Sequence, residues 1–193
     1  MSRPAIFLDR DGTLNVRAPE HEYVSAVEEF VWLPGAVAGA VRLAQAGYLL
    51  TVTSNQRGVA RGLFDVNVLG AIETLIQREL VGHGCAIEAF RYCIHDEQVK
   101  CKCRKPKPGM ILELARELDV SLEDSWTIGD SESDVIAGQL AGCRTVLISP
   151  ARGRRGAEAI ASSLDAASRM IVHDDGTQPA EEVAPASNSW TSA

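Results

Sequence analysis

Two carboxylates stand directly after a short apolar run near the start of the chain. Residues 5–8 are all apolar, Asp9 follows them at once, and Asp11 lies two positions further on, just before Gly12. Because alternate side chains of an extended segment point to the same side, Asp9 and Asp11 would face the same ligand. One carboxylate could then attack while its neighbour transfers protons. The same residues on their own also fit an Asx turn that closes a strand, or the start of a calcium loop.

Three later segments place further polar side chains after predicted strands. Residues 54–62 contain a hydroxyl, two amides, two arginines and glycines, which can surround an oxyanion with hydrogen-bond donors or form an ordinary polar loop. Arg104 and Lys105 supply two positive charges, and Asp130 supplies a third carboxylate, with Asp134 one helical turn beyond it. Three aspartates, a hydroxyl and two cations are the groups that phosphoryl transfer requires.

The elements that must position these groups are apolar strands that alternate with amphipathic helices. This alternation predicts a mainly parallel sheet with right-handed crossovers, whose carboxyl edge would gather the polar segments. The predicted strands are 5–8, 48–53, 87–92, 126–128 and 143–148, and the predicted helices are 36–44, 63–82, 110–118 and a segment that ends at 140. Past residue 150 the pattern predicts a last helix over 157–167 and a short edge strand over 170–172.

At that edge the gathered groups would form a site for phosphoryl transfer. Asp9 would attack phosphorus and form an aspartyl-phosphate, while Asp11 would protonate the leaving oxygen and then take a proton from water. Asp130 would hold magnesium together with Asp9 and a backbone carbonyl, and Asp134 would orient these ligands. The adjacent cations would stabilise the oxygens of the transferring group.

Four segments, in this order along the chain, resemble the four motifs of the haloacid dehalogenase superfamily of phosphatases: residues 7–15, 53–56, 104–106 and 128–130. The resemblance implies an α/β fold, a Rossmann-like open parallel sheet with helices on both faces and a minimal cap. We expect one phosphatase domain over residues 1–173. Residues 174–193 are rich in Pro, Ser, Ala and acidic groups, and we expect them to form a disordered tail.

The same resemblance implies roles for individual residues. It makes Asp9 the nucleophile and Asp11 the general acid and base. It makes Ser54 the phosphate-binding hydroxyl and Lys105 the cation that pairs with the nucleophile and the phosphate. The expected magnesium ligands are Asp9, Asp11 and Asp130, with Asp134 in support. The residues expected to bind substrate are Asn55, Gln56, Arg57, Arg61 and Arg104.

A second group of residues has the composition of a metal site. Cys93 and His95 form one pair and Cys101 and Cys103 another, separated by a short loop. Two such pairs of sulfur and imidazole ligands fit a closed, tetrahedral zinc site, although unrelated reduced cysteines would give the same pattern. The insertion 93–103 would then be cross-linked by zinc and would position the two cations that follow it.

The zinc pattern and the motifs together resemble a branch of the superfamily whose members hydrolyse small phosphorylated metabolites. This branch includes phosphatases of D-glycero-D-manno-heptose 1,7-bisphosphate and of histidinol phosphate. The resemblance implies that this chain removes the 7-phosphate of the heptose bisphosphate, and histidinol phosphate is the alternative substrate. Ser131 and Ile94 depart from this branch, which carries lysine and proline at these places.

Charge and composition limit the remaining classes of function. The net charge of -7 argues against a polynucleotide phosphatase, and the two intact aspartates argue against a non-enzymatic binding module. No apolar stretch approaches the roughly 20 residues that cross a bilayer, and the first residues lack the apolar core of a signal peptide. We therefore expect a cytoplasmic monomer that binds neither nucleic acid nor membrane.

Overall fold

Six parallel strands form the sheet of the computed structural model, which describes residues 2–149 and 156–174. The strands are β1 (Ala5–Leu8), β2 (Leu49–Asn55), β3 (Ala89–Cys93), β4 (Trp126–Gly129), β5 (Arg144–Ile148) and β6 (Ala159–Ala161). Their order across the sheet is β3-β2-β1-β4-β5-β6, and every neighbouring pair is parallel. This is the Rossmann order, in which the direction of winding reverses at β1. The predicted fold class is confirmed.

Helices cover both faces of the sheet because the side chains of β1 alternate. Ile6 and Leu8 pack into the core on one face, and Ala5 and Phe7 pack into the core on the other. The helices are α1 (Ala36–Gln45), α2 (Val66–Gly82), α3 (Gly109–Glu117), α4 (Glu132–Ala141) and α5 (Leu164–Asp174). Helices α1, α2 and α5 contribute to the first core, and α3 and α4 contribute to the second. Strand β1 is therefore enclosed on both sides, which fixes the direction in which its carboxyl end points.

The segment between β1 and α1 covers the carboxyl edge without forming a separate domain. Among the described residues, 9–35 contain no regular element except the 3-10 turn Val27–Glu29. This agrees with the expected minimal cap. Along the described part of the chain, no helix combines the length and the apolar character that crossing a membrane would require.

The prediction for the last part of the chain is wrong. In place of a helix over 157–167 and a strand over 170–172, β6 comes first and α5 follows it. Ile160 and its alanine neighbours pair in register with β5, and this pairing decides the strand. The apolar residues 170–172 belong to α5, where Ile171 is buried but Met170 is 41% exposed, as expected for consecutive residues of a helix.

The expected domain boundary stays a prediction. Asp174, the first residue of the predicted tail, ends α5 instead. The rest of the predicted tail, 175–193, lies outside the described residues.

Candidate active site

The end of β1 brings Asp9 next to a loop from the neighbouring strand. The backbone N–H of Asp9 donates to the carbonyl of Ile128 in β4 at 2.9 Å, so the two strand ends are held together. Gly12 has a φ of 93°, and a Cβ there would lie 1.9 Å from Asp130 Oδ2. Only glycine therefore lets the turn after Asp11 approach Asp130 this closely.

Three carboxylates converge at this point. Oxygens of Asp9, Asp130 and Asp134 lie within 4.8 Å of one another. The ammonium of Lys105 is 2.7 Å from Asp9 Oδ1 and 2.5 Å from Asp134 Oδ1, and it also donates to the carbonyl of Thr53 at 2.7 Å. Lys105 thus donates two hydrogen bonds, to Asp9 and to Thr53, and forms an ion pair with Asp134. Lys105 therefore holds the carboxylate of Asp9, the candidate nucleophile, in a fixed position.

Burial and the repulsion between neighbouring carboxylates disfavour the ionised forms of Asp9 and Asp130 unless a further cation is bound. Burial raises the pKa of Asp9 from 3.8 to about 7; Lys105 opposes this rise and Asp134 adds to it. Burial likewise raises the pKa of Asp130 to about 6, against the effect of Arg17 and with that of Asp134. Burial lowers the pKa of Lys105, but the two facing carboxylates outweigh it and the net shift is upward. A hard divalent cation with oxygen ligands, such as Mg²⁺, fits this donor set.

The carboxylate of Asp11 is turned away from this group. Arg10 donates to both of its oxygens, from Nη2 at 2.9 Å to each and from Nε at 3.2 Å to Oδ1. Asn15 Nδ2 donates to Oδ1 at 2.9 Å, and Gln56 Nε2 donates to Oδ2 at 2.8 Å. The predicted magnesium ligands therefore include one residue, Asp11, whose carboxylate is not among the three that converge. Asp134, predicted only to support the metal, is instead one of the three converging carboxylates.

Three consecutive polar residues at the end of β2, 54–56, lie at different places relative to the cavity. Ser54 is buried at the cavity floor, where its Oγ accepts from Gln56 Nε2 at 2.8 Å. Asn55 exchanges two hydrogen bonds of 3.1 Å with the backbone of Lys105, so it holds the lysine in place besides lining the cavity. Gln56 is 1% exposed and lies beneath the cavity against Asp11, although the sequence predicted contact with substrate.

A cavity of about 300 Å³ opens above the carboxylates, within the range of small-molecule sites. Its floor is formed by Asp9, Asp11, Ser54, Asn55, Lys105 and Asp134, and one wall is formed by residues 17–24. Arg17, which the sequence reasoning missed, belongs to this wall, and its Nη2 lies 2.6 Å from Asp130 Oδ1. The structure thus places a cation of the cap segment against a candidate metal ligand.

The three arginines predicted to bind substrate do not line this cavity. Arg57 and Arg104 both pair with Glu97, the latter at 3.6 Å, and Arg61 Nε lies 3.3 Å from Asp96 Oδ2. Arg57 also donates to the hydroxyl of Tyr23, a residue of the cavity wall, at 3.4 Å. These arginines therefore stand beside the cavity, and carboxylates of the 93–103 loop neutralise them.

The cysteine and histidine pairs of that loop come together as predicted for a metal site. The ligand atoms of Cys93, His95, Cys101 and Cys103 lie within 4.8 Å of one another. The Sγ atoms of Cys93 and Cys101 are 3.5 Å apart, and His95 Nδ1 is 3.2 Å from Cys103 Sγ. Two sulfur ligands of a tetrahedral zinc ion would lie about 3.8 Å apart, since each bond is about 2.3 Å. None of the five cysteines forms a disulfide.

Two further residues that the sequence reasoning missed are Arg10 and Asn15. Both are fully buried polar side chains inside the first motif, and both serve Asp11. Their signal was their type and place, because a charged residue two positions after a buried strand, and an amide in the turn that follows, need polar partners when they are buried. Which partner they take depends on the turn, so the sequence alone could not assign it.

Comparison with known proteins finds a matching family model and relatives that carry the same enzyme name. Residues 102–175 match the model of the HAD-hydrolase-like family. The D-glycero-β-D-manno-heptose-1,7-bisphosphate 7-phosphatase of Pseudomonas aeruginosa is 35% identical over 155 residues, which cover 80% of this chain and 86% of that protein. The enzyme of the same name from Rhodopseudomonas palustris is 42% identical over 147 residues, which cover 72% of this chain and 80% of that protein.

A solved structure is similar over nearly the whole described chain. The crystal structure of D,D-heptose 1,7-bisphosphate phosphatase from B. bronchiseptica, complexed with magnesium and phosphate, superposes with a TM-score of 0.81 at 34% identity. The match covers 89% of this chain and 99% of that one.

The raised pKa values predict how the stability of the metal-free protein depends on pH. The folded protein keeps a proton on Asp9 up to about pH 7 and on Asp130 up to about pH 6, whereas the unfolded chain loses both near 3.8. The folded state therefore binds more protons in this range, and this contribution to stability is lost as the pH rises through it, by about 1.4 kcal/mol per pH unit for each extra proton. Urea unfolding in a chelator at several pH values measures the effect.

The control is the double variant Asp9→Asn with Asp130→Asn, which cannot titrate at these two positions. Relative to this variant, the wild type should lose stability between about pH 4 and pH 7, and magnesium should reverse the loss because it binds the ionised carboxylates. Parallel pH profiles of the two proteins would contradict the assignment.

Proposed function

The chain belongs to the haloacid dehalogenase superfamily, within it to the family of D-glycero-β-D-manno-heptose-1,7-bisphosphate 7-phosphatases, and from this we propose that it removes the 7-phosphate of that sugar with magnesium. The observation that carries the proposal is the buried Asp9, which lies on the floor of a cavity, is held by Lys105 and converges with two further carboxylates. This arrangement provides a fixed nucleophile and the ligands of a divalent cation in one place.

The reaction would proceed in two steps on the residues of the cavity floor. An Asp9 oxygen attacks phosphorus, the bond from phosphorus to the sugar oxygen breaks, and Asp11 gives a proton to that oxygen. Water then attacks the aspartyl-phosphate, its proton goes to Asp11, and inorganic phosphate leaves Asp9 free. Ser54 would donate a hydrogen bond to a phosphate oxygen, and Lys105 would keep Asp9 in line.

Magnesium fits the carboxylates that converge at Asp9. Asp9, Asp130 and Asp134 offer the oxygen ligands, although Asp134 is already occupied by Lys105 and by Ser131, whose Oγ lies 2.5 Å from it. Asp9 and Asp130 are therefore the ligands we assign, with Asp134 in support. The ion would neutralise the carboxylate and the phosphate oxygens so that they can approach each other.

The second phosphate of the substrate would be bound by the arginines beside the cavity. A bisphosphate brings more negative charge than Lys105 and one divalent cation can offset, and an arginine can bind a phosphate in a bidentate way. Arg104 and Arg57 share Glu97, which is 63% exposed at its side chain and can give way to a phosphate at little cost. We assign Arg104 and Arg57 to this contact, with Arg61, four residues after Arg57, and its partner Asp96 next to them.

The zinc site would stabilise the loop that carries these partners. Cys93 is the last residue of β3, and Cys103 directly precedes Arg104 and Lys105. A four-ligand site with no open position has a structural role, so zinc would fix this loop and take no part in the chemistry.

Histidinol phosphate remains the second candidate substrate because of one feature of the cavity wall. Glu20 and Glu22 line the cavity and are exposed, so they could attract the ammonium and imidazole groups of that substrate. The named relatives favour the heptose bisphosphate instead.

We expect the purified protein with magnesium to release phosphate from D-glycero-β-D-manno-heptose 1,7-bisphosphate with a higher kcat/KM than from histidinol phosphate. Asp9→Asn should lower kcat at least about a thousandfold because the nucleophile is lost. Asp119→Asn, an exposed position outside the cavity, is the matched control and should keep full activity. A clear preference for histidinol phosphate would refute the substrate, and an active Asp9→Asn variant would refute the mechanism.

We expect opposite effects from the two partners of the arginine contact. Arg104→Ala should cost about 2–4 kcal/mol in kcat/KM for the bisphosphate, because it removes a charge that binds the second phosphate. Glu97→Gln should lower KM for the bisphosphate, because it removes the competing carboxylate. Hydrolysis of p-nitrophenyl phosphate, which has a single phosphate, serves as the control and should change little in either variant. Equal losses on both substrates would show that Arg104 does not bind the second phosphate.

We expect about one zinc ion per chain in protein purified without added metal. Cys101→Ser should lose the zinc and raise KM, because the loop before Arg104 is no longer fixed. Cys85→Ser, which changes a core cysteine outside the cluster, should keep the zinc. Elemental analysis and substrate titration measure the two effects, and zinc-free wild-type protein with an unchanged KM would disprove the site.

A further inference from the structure

The residue between the two aspartates, Arg10, is fully buried under the active site. Its carbonyl accepts hydrogen bonds from the backbone N–H groups of Thr13, Leu14 and Asn15, at 3.3, 2.9 and 3.2 Å. Its guanidinium donates hydrogen bonds to both carboxylate oxygens of Asp11. The turn after β1 thus fixes Arg10 at its backbone, and Arg10 in turn fixes the plane of the Asp11 carboxylate.

Burying a guanidinium costs free energy unless an opposite charge pairs with it. Arg10 is 0% exposed, and its Nη1 has no hydrogen-bond partner among the described residues. An apolar side chain of similar size would fill the same space without desolvating a charge. Packing alone therefore does not account for an arginine at this position, whereas the contact with Asp11 does.

The two oxygens of Asp11 are held differently. Oδ1 accepts from two nitrogens of Arg10 and from Asn15, so it is fully occupied. Oδ2 accepts from Arg10 and from Gln56 Nε2, which also donates to Ser54 Oγ at 2.8 Å. If a substrate oxygen replaces Gln56 at Oδ2, the amide keeps an acceptor in Ser54. Oδ2 is thus the less crowded oxygen, and when the substrate takes the place of Gln56 there, one of the two N–H groups of Nε2 is freed while the other stays paired with Ser54.

We propose that Arg10 is a positioning residue for both proton transfers, and that it presents Oδ2 of Asp11 first to the leaving sugar oxygen and then to the attacking water. This inference rests on the proposed function, in which Asp11 gives its proton as the bond from phosphorus to the sugar oxygen breaks and recovers one from water. Arg10 contacts neither substrate nor phosphorus. Its effect should therefore appear in the steps that need a proton and not in substrate binding.

Two substrates separate these steps. A sugar alkoxide is a poor leaving group and needs the proton of Asp11, whereas p-nitrophenolate leaves as an anion. With p-nitrophenyl phosphate only the second step, hydrolysis of the aspartyl-phosphate, still needs Asp11. A badly oriented Asp11 should then let the phosphoenzyme accumulate and release a burst of p-nitrophenol.

The test compares Arg10→Met and Arg10→Lys with the wild type. On the sugar bisphosphate kcat should fall roughly 10- to 1000-fold with KM within about twofold, since general acid–base catalysis contributes about 10²–10⁴-fold. On p-nitrophenyl phosphate, rapid mixing should give a burst of about one p-nitrophenol per active site. Arg91→Met, which makes the same kind of change at an arginine of β3 that pairs with Glu117, is the matched control and should show neither change.

A double variant distinguishes positioning from a general structural effect. In an Asp11→Asn background, Arg10→Met should not slow the second step further, because the group that Arg10 orients no longer transfers protons. A further loss there, or Arg10 variants that slow both substrates equally without a burst, would overturn the inference. If thermal unfolding shows that Arg10→Met does not fold, Arg10→Lys decides by the same criteria. A wild type inactive on both substrates would instead refute the proposed function itself.

Discussion

The ion pairs of Lys105 with Asp9 and Asp134 hold the candidate site together. The three residues come from different parts of the chain: the end of β1, the loop before α3 and the first turn of α4. A buried charge is tolerated only where opposite charges and hydrogen bonds replace water, so these three groups must meet or the fold loses stability. The sheet order makes the meeting possible, since β1 lies between β2 and β4.

Smaller contacts around this triad serve to keep it in place. Asn55 fixes the backbone of Lys105, and Asp134 caps α4 through Ser131, so helix and lysine are tied to one carboxylate. Gly129 belongs to the same arrangement, because a Cβ there would lie 2.3 Å from the carboxyl carbon of Asp134. The site is thus rigid on its protein side, which is the condition for aligning a nucleophile with a phosphate.

The charged groups around the cavity differ in depth. Carboxylates and Lys105 occupy the floor, whereas Arg57, Arg61 and Arg104 stand at the side and are paired with the half-buried Asp96 and the exposed Glu97. Exposed pairs of this kind contribute little to stability and exchange partners easily. An acidic protein can in this way present exchangeable cations to a phosphorylated substrate.

The sequence by itself determined the fold class, the four polar segments and the two candidate metal groups. Apolar runs and helical spacing are local properties, and the order of the motifs follows the order of the strands. The final strand and helix were misplaced because a short alanine-rich segment has no period of its own, and pairing with β5 decided its structure.

Only the tertiary structure decided which partner each polar group takes. Gln56 meets Asp11 across 45 residues, Lys105 meets Asp9 across 96, and Arg17 meets Asp130 across 113. The tertiary structure also directs the carboxylate of Asp11 toward Arg10 and places Asp134 among the converging carboxylates. The physical reason is that a side chain's type and spacing limit the bonds it can form, whereas the packed sheet and its turns fix which groups come within bonding distance.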